Sequence, residues 1–308
     1  MPRTEVRSNH VRWLHLDKPT DAELIALGEE FSFHPLDIAD CRKQGQRQKV
    51  ERYKDYVFLV LLFPVYNRQT RAIEAGEIDF FVGPDYVVTV DEGRLPPLSA
   101  LRHQFADHAD LRESIGGTSV SLLHELVDRL VVSLYPMLDH ISLDIHRAEQ
   151  AVFGGKEKQM VAEVAVVRRN ITDFRRIVQT HKNTLKRVLD ILHLNGLAGA
   201  KESIPSLQRT IDRTKEIWDL LESYRESIDT IHDTNESLMS FKLNDIMRTF
   251  TTMSVMIFFM TLVTTLFAVR ARGTPLVEGP GAFWTLLGLI ILSGIAARQF
   301  FKRRRLLE

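Results

Sequence analysis

Two uncharged stretches near the C-terminus, Thr249 to Val269 and Pro280 to Ala297, constrain this chain more than anything else in it. Crossing a bilayer core takes roughly 20 apolar helical residues. The first stretch meets that length comfortably, and the second, thinned by Gly281, Gly288 and Gly294, meets it narrowly. A short loop separates them and Phe301-Lys302-Arg303-Arg304-Arg305 follows, so the pair reads as a two-helix transmembrane hairpin in a multi-pass membrane protein. Lys242 and Arg248 precede the first span, while Arg298 and Lys302 to Arg305 follow the second. Clustered Lys and Arg mark the inner side, which places both termini in the cytoplasm and the chain in the plasma (inner) membrane. The loop from Arg270 to Gly279 then faces outward, although it carries Arg270 and Arg272 against Glu278.

The rest of the chain is polar enough to be soluble. Lys and Arg together number 40, as do Asp and Glu. With no net field and no basic patch interleaved with stacking aromatics, nucleic acid is excluded as a partner. The single cysteine, Cys41, has no intramolecular disulfide partner and no Cys or His at zinc-ligand spacing, which suits a reducing compartment. Met1-Pro2-Arg3-Thr4-Glu5 lacks the apolar core of a secretory signal, and the N-terminal region is expected to stay in the cytosol.

The fold class expected is an α+β membrane protein. Residues 1–95 form a cytoplasmic α/β domain, with strand signals at Val11 to Leu16, Tyr56 to Val65, Ile78 to Val82 and Tyr86 to Val90. The nearly continuous apolar run from Tyr56 to Phe63 suits a central strand covered on both faces. Thr20-Asp21-Ala22-Glu23 opens a capped helix, and Gly83-Pro84-Asp85 is a turn. Residues 96–204 are helical: one long pattern from Ser119 to Phe153 breaks at Gly154-Gly155 and returns antiparallel from Lys156 to Leu194. Residues 205–248 form a stalk helix that runs on into the first span, 249–269, because no Pro or Gly occurs between Pro205 and Gly273. The outer loop is 270–279, the second span 280–298 and the basic tail 299–308. Ile217, Leu221, Tyr224, Ile228, Ile231, Asn235, Leu238 and Lys242 lie on a heptad seam. Such a stripe pairs helices between subunits or packs on the preceding hairpin of the same chain, and the polar Asn235 and Lys242 favour self-association.

With these elements in order, the chain resembles the CorA family of divalent-cation transporters over nearly its whole length. The motifs that carry the resemblance are His34-Pro35-Leu36-Asp37-Ile38-Ala39-Asp40, Lys49-Val50-Glu51-Arg52-Tyr53-Lys54-Asp55-Tyr56 and Glu77-Ile78-Asp79-Phe80-Phe81-Val82-Gly83. The resemblance implies a funnel-shaped homopentamer in the bilayer whose long helices line a central pore for divalent metal ions. Asn244-Asp245-Ile246-Met247 matches the family's Asn-Glu-Val-Met segment at the cytoplasmic pore entrance, which makes Asn244 and Met247 pore residues. Thr251, Phe258 and Thr265 continue that face as alternating polar and apolar rings; apolar rings gate by dewetting, and hydroxyl rings bond a hydrated ion. Divalent cations, magnesium foremost and zinc, cobalt or nickel besides, are substrate and also candidate regulator; no other cofactor is implied.

One departure is large. The family's Gly-Met-Asn at the outer mouth aligns with Ala268-Val269-Arg270. An Asn amide suits a hydrated hard cation, whereas Arg offers only donors and a fixed positive charge. Even screened by water, two unit charges at 4 Å repel by about 1 kcal/mol, and a dication doubles that. Alternatively, Arg270 and Arg272 snorkel to lipid phosphates. The departure points to the branch of the family that lacks Gly-Met-Asn and includes CmaX. A non-conducting or selectivity-altered pentameric scaffold is the rival reading.

Other candidate metal ligands are few. Asp79 and Asp91 are candidate partners for stalk carboxylates in intracellular magnesium sensing, against the plainer reading of those stalk acids as a salt-bridged face. His140 and Asp144, one helical turn apart, fall short of the ligand count of a closed zinc site. Phosphate loop, nucleophile elbow and zincin His pair are all missing, so the chain reads as a non-enzyme.

Overall fold

The computed structural model of the chain describes residues 3–8, 10–43, 45–108, 117–194, 199–268 and 281–303. It divides into two compact units, Met1–His232 and Asp233–Glu308. The first is built on a six-stranded sheet of β1 (Arg3–Arg7), β2 (Arg12–Asp17), β3 (Lys49–Arg52), β4 (Val57–Asn67), β5 (Ala72–Val82) and β6 (Tyr86–Asp91), in spatial order β1-β2-β6-β5-β4-β3. All neighbours are antiparallel except β2 and β6.

Both faces of the sheet are covered, which is why β4 is apolar without alternation: Val57 through Leu61 are all buried. On one face Phe58, Phe81, Val88 and Val90 meet Leu24 and Leu27 of α1 (Asp21–Phe31) and Ile38 of α2 (Pro35–Cys41). The expected cap on α1 is present as a full capping box, the Glu23 amide donating to Thr20 Oγ1 and the Thr20 amide to Glu23 Oε2 at 2.8 Å. On the other face Trp13 packs edge-on against Phe105 of α3 (Pro96–Asp107). The two strands not expected from the sequence, β1 and β3, are the sheet's edges. In β1 no residue is buried, and β3 buries only Val50, so neither presents an apolar pattern to recognise.

The single helix expected from Ser119 to Phe153 is two, α4 (Ser119–Val132) and α5 (Tyr135–Phe153). Pro136 lies in the first turn of α5, where its missing N–H costs nothing; inside one continuous helix it would break the ladder. The returning arm is likewise split, into α6 (Glu157–Val178) and α7 (His181–Leu194). At the start of α7, fully buried His181 makes a 2.6 Å hydrogen bond from Nε2 to the Leu62 carbonyl of β4 and lies 4.9 Å from the Phe63 ring. Burial lowers its pKa to about 4, so the neutral ring donates. Gly155, at φ +84°, closes the turn between α5 and α6.

The last two helices are α8 (Ala200–Ala268) and α9 (Ala282–Arg303). Pro205 lies near the start of α8, and no break follows. The heptad seam is satisfied inside the chain through its first unit: Ile217, Leu221, Ile228 and Ile231 are all buried. Arg175 of α6 lies over Trp218 at 4.9 Å and bonds Glu222, and Arg168 reaches Asp229 at 2.8 Å. This part of the stripe packs on the hairpin of the same chain.

In the second unit the apolar residues are exposed. Phe250, Met253, Ile257 and Phe258 of α8 and Phe283, Trp284 and Leu292 of α9 are each at least 60% exposed. Among the described residues α8 alone is long and apolar enough to cross a membrane, and Phe283–Ala296 is a shorter apolar helix. Gly294 brings α9 against Met260, whose methyl would lie 3.1 Å from an added Cβ.

Candidate ion pathway

Along α8 one stripe can be followed from the stalk through the apolar stretch. Asp233, Ser237, Ser240, Asn244, Met247, Thr251, Ser254, Phe258, Thr261 and Thr265 follow one another at alternating spacings of four and three, and every one is exposed. This spacing keeps residues on one helix face. The stripe contains all five residues singled out from the sequence, Asn244, Met247, Thr251, Phe258 and Thr265. It adds Ser254 and Thr261 within the apolar stretch, and Asp233, Ser237 and Ser240 before it. Extending the same spacing in both directions from Asn244 would have found them.

The hydroxyls on the stripe are oriented by their own helix. Thr251, Ser254, Thr261 and Thr265 donate to the carbonyls of Met247, Phe250, Ile257 and Thr261 at 2.7–2.9 Å. With the proton committed to the backbone, each oxygen keeps only acceptor capacity. Acceptors suit the outward-pointing hydrogens of a hydrated cation. Next to Asn244 a shallow groove of about 430 Å³ is lined by Asp233, Glu236, Ser237, Ser240 and Phe241, so two carboxylates stand beside the Asn244 amide. Ala268 ends α8 and is exposed. Val269 and Arg270 lie outside the described residues.

The acidic candidates of the first unit, Asp79 and Asp91, border one cavity without facing each other. The β5–β6 register sets Asp79 opposite Val90 and Asp91 opposite Ile78, so the two carboxylates leave the sheet on opposite faces. Asp91 lies 3.5 Å from His15 Nε2, and burial with Asp17 nearby raises its pKa to about 7. Burial also lowers His15 to about 4, so the contact is with a neutral ring. Asp79 faces α1 and α2, where burial and then the Glu77 charge raise its pKa to about 8. His140 and Asp144 are both exposed on α5, and Asp144 bonds Arg147 at 3.3 Å. Among the described residues no group of three or more His, Cys, Asp or Glu stands where it could hold a metal ion. Three of the stalk acids tie helices together: Glu222 and Asp229 pair with α6, and Glu216 accepts from the Tyr135 hydroxyl at 2.9 Å.

The chain is 23% identical over 281 residues to the cobalt/magnesium transport protein CorA of Thermotoga maritima, covering 91% of this chain and 78% of that protein. Its fold matches the complete structure of the CorA magnesium transporter from Methanocaldococcus jannaschii with a TM-score of 0.82 at 16% identity, over 96% of this chain and 90% of the other. The full-length CmaX structure matches at 0.66, also at 16% identity, over 96% and 88%. The family model described as CorA-like Mg2+ transporter protein matches residues 8–303, and the chain belongs to that family of membrane metal-ion transporters.

Proposed function

We propose that this chain assembles as a funnel-shaped homopentamer in the plasma (inner) membrane and conducts divalent metal cations through a central pore. Magnesium is the expected principal ion, with zinc, cobalt and nickel as further substrates. The exposed polar stripe of α8 supports this reading most strongly. A lone spanning helix gains nothing from an acceptor-only face, because polar groups facing lipid are costly. Copies arranged around an axis turn that face into rings. In such an assembly Asn244 and Met247 ring the entrance, the hydroxyls of Thr251, Ser254, Thr261 and Thr265 take up waters of the ion, and Phe258 forms an apolar constriction that closes by dewetting. The Phe250, Met253 and Ile257 side chains lie off the stripe and face lipid or a neighbouring copy. The chain spans twice with both termini cytoplasmic.

Arg270 favours a second reading. Where relatives carry the Asn of Gly-Met-Asn, a ring of arginines repels dications and would leave a pentamer that scaffolds partners or passes other ions.

Cysteine scanning tests the pore face. In a Cys41→Ser background, single cysteines at Thr251, Ser254 or Thr261 are expected to let a small thiol reagent block magnesium uptake into vesicles, whereas cysteines at Met253 or Ile257 leave uptake intact. Equal block at both sets, or at neither, contradicts the assignment.

A further inference from the structure

Beside the β4–β5 pair a cavity of about 950 Å³ opens between the segment entering β3, the residues that follow β6 and the end of α6. Its walls carry three kinds of group. Leu62 of β4, Ala75 of β5 and Ile177 of α6 are apolar. Arg47, Arg94 and Arg176 bring guanidinium groups from three separate segments. Arg47 is exposed and pairs with no carboxylate among the described residues. Arg176, its side chain 75% exposed, donates from Nη2 to Asp173 at 3.0 Å, and Arg94 is committed to Glu74. The third kind is acceptors. Gln48 donates from Nε2 to the Ile177 carbonyl at 2.7 Å, while its Oε1 is buried with no hydrogen-bond partner. A buried amide oxygen in that state costs roughly 1–3 kcal/mol until a donor reaches it. Glu77, the register partner of Leu62, and Glu92 complete the set. The Gly45 and Gln46 amides donate to Glu77 Oε2 at 3.1 and 2.9 Å, which leaves Oε1 to accept from elsewhere.

Guanidinium donors, unfilled acceptors and an apolar wall in one cavity suit a ligand that carries anionic groups, N–H donors and a flat apolar body at once. An amino acid has the first two but is small for this space, whereas drug-sized molecules occupy clefts of about 300–1,000 Å³. We propose that this cavity binds a purine nucleotide, with Arg47 and Arg176 on the phosphates and Gln48 on the base. Arginine's planar fork bonds phosphate oxygens in pairs, which suits a chain without a glycine-rich phosphate loop. The exocyclic amine or ring N–H of the purine supplies the donor that Gln48 Oε1 lacks, and Leu62 and Ile177 cover its faces. Glu77 and Glu92 accept from the remaining N–H groups or the ribose hydroxyls. Gln48 also ties the segment entering β3 to α6, whose Arg168 and Arg175 hold the stalk, so occupancy bears on the helix that supports α8. The site lies within the first unit of one chain and requires neither an assembled pore nor a bound metal, so it stands or falls independently of the conduction reading.

The test is isothermal titration of the purified full-length protein in detergent with ATP and with GTP, in EDTA so that no metal bridges the phosphates. One nucleotide per chain is expected, of one base or both. Arg47→Gln and Arg176→Gln, at exposed side chains, are each expected to weaken binding about tenfold, the effect of losing one charge-assisted contact. Gln48→Leu is expected to weaken nucleotide binding and to leave the affinity for inorganic tripolyphosphate unchanged. Absence of binding by both nucleotides at millimolar concentration would overturn the proposal. Tripolyphosphate binding as tightly as the nucleotides would also overturn it, reducing the site to a cluster of surface arginines. Should Gln48→Leu fail to fold, unchanged nucleotide affinity in Arg47→Gln and Arg176→Gln overturns it equally.

Discussion

Leu221→Ala separates the two ways in which the stalk seam can be buried. Leu221 is fully buried within a single chain, on the α8 turn that carries Trp218 and Glu222, both engaged by Arg175 of α6. Alanine removes three carbons, and at about 0.8 kcal/mol per methylene the lost transfer free energy is about 2.4 kcal/mol. An unrelaxed void of roughly 60 Å³ adds about 1.5 kcal/mol at ~24 cal/mol per Å³. The expected loss is therefore about 2.5–4 kcal/mol, borne by the fold of one chain. Urea denaturation of the detergent-solubilised protein, followed by tryptophan fluorescence, reads the loss, and native mass spectrometry reads the subunit number alongside. The seam packing described here predicts a lowered denaturation midpoint with an unchanged assembly. A loss below about 1 kcal/mol accompanied by dissociation into smaller species would show that Leu221 packs between copies and would refute the reasoning.

Two further outcomes follow from the same structure. His181 is neutral when folded, its pKa lowered by burial to about 4 from 6.5, so the unfolded chain binds more protons between those values and stability falls as pH drops through that window. Relative to His181→Gln, the parent should lose up to about 3 kcal/mol between pH 6.5 and 4, at 1.36 kcal/mol per pKa unit; parallel pH–stability curves would mean the ring protonates freely. Arg270→Asn restores the neutral amide found in relatives and is expected to raise magnesium uptake into vesicles. Unchanged uptake would place the guanidinium away from the ion path.

Much of this architecture was legible in the sequence, and the gaps have identifiable causes. The uninterrupted α8 could be read because nothing from Ser206 to Arg272 breaks a helix, and β4 because both of its faces are buried. Strands β1 and β3 were not, since an edge strand with one buried residue or none has no hydrophobic period. The seam from Ile217 to Ile231 identified buried residues without identifying what covers them; only packing on α6 answered that. Asp79 and Asp91 looked like companions, yet strand register puts them on opposite faces, and register follows from pairing with other strands. Ser254 and Thr261 were within reach of the sequence. Hydroxyls in an apolar helix attract little notice until their spacing is extended from Asn244.

The central claim is conduction, and uptake of magnesium by sealed liposomes containing only the purified parent protein tests it most directly. Saturable uptake above that of protein-free liposomes, abolished when a thiol reagent modifies a cysteine placed at Thr251, is the predicted result. Uptake no greater than in protein-free liposomes, from a preparation whose native mass is an intact pentamer, would contradict conduction and leave the scaffold reading in its place.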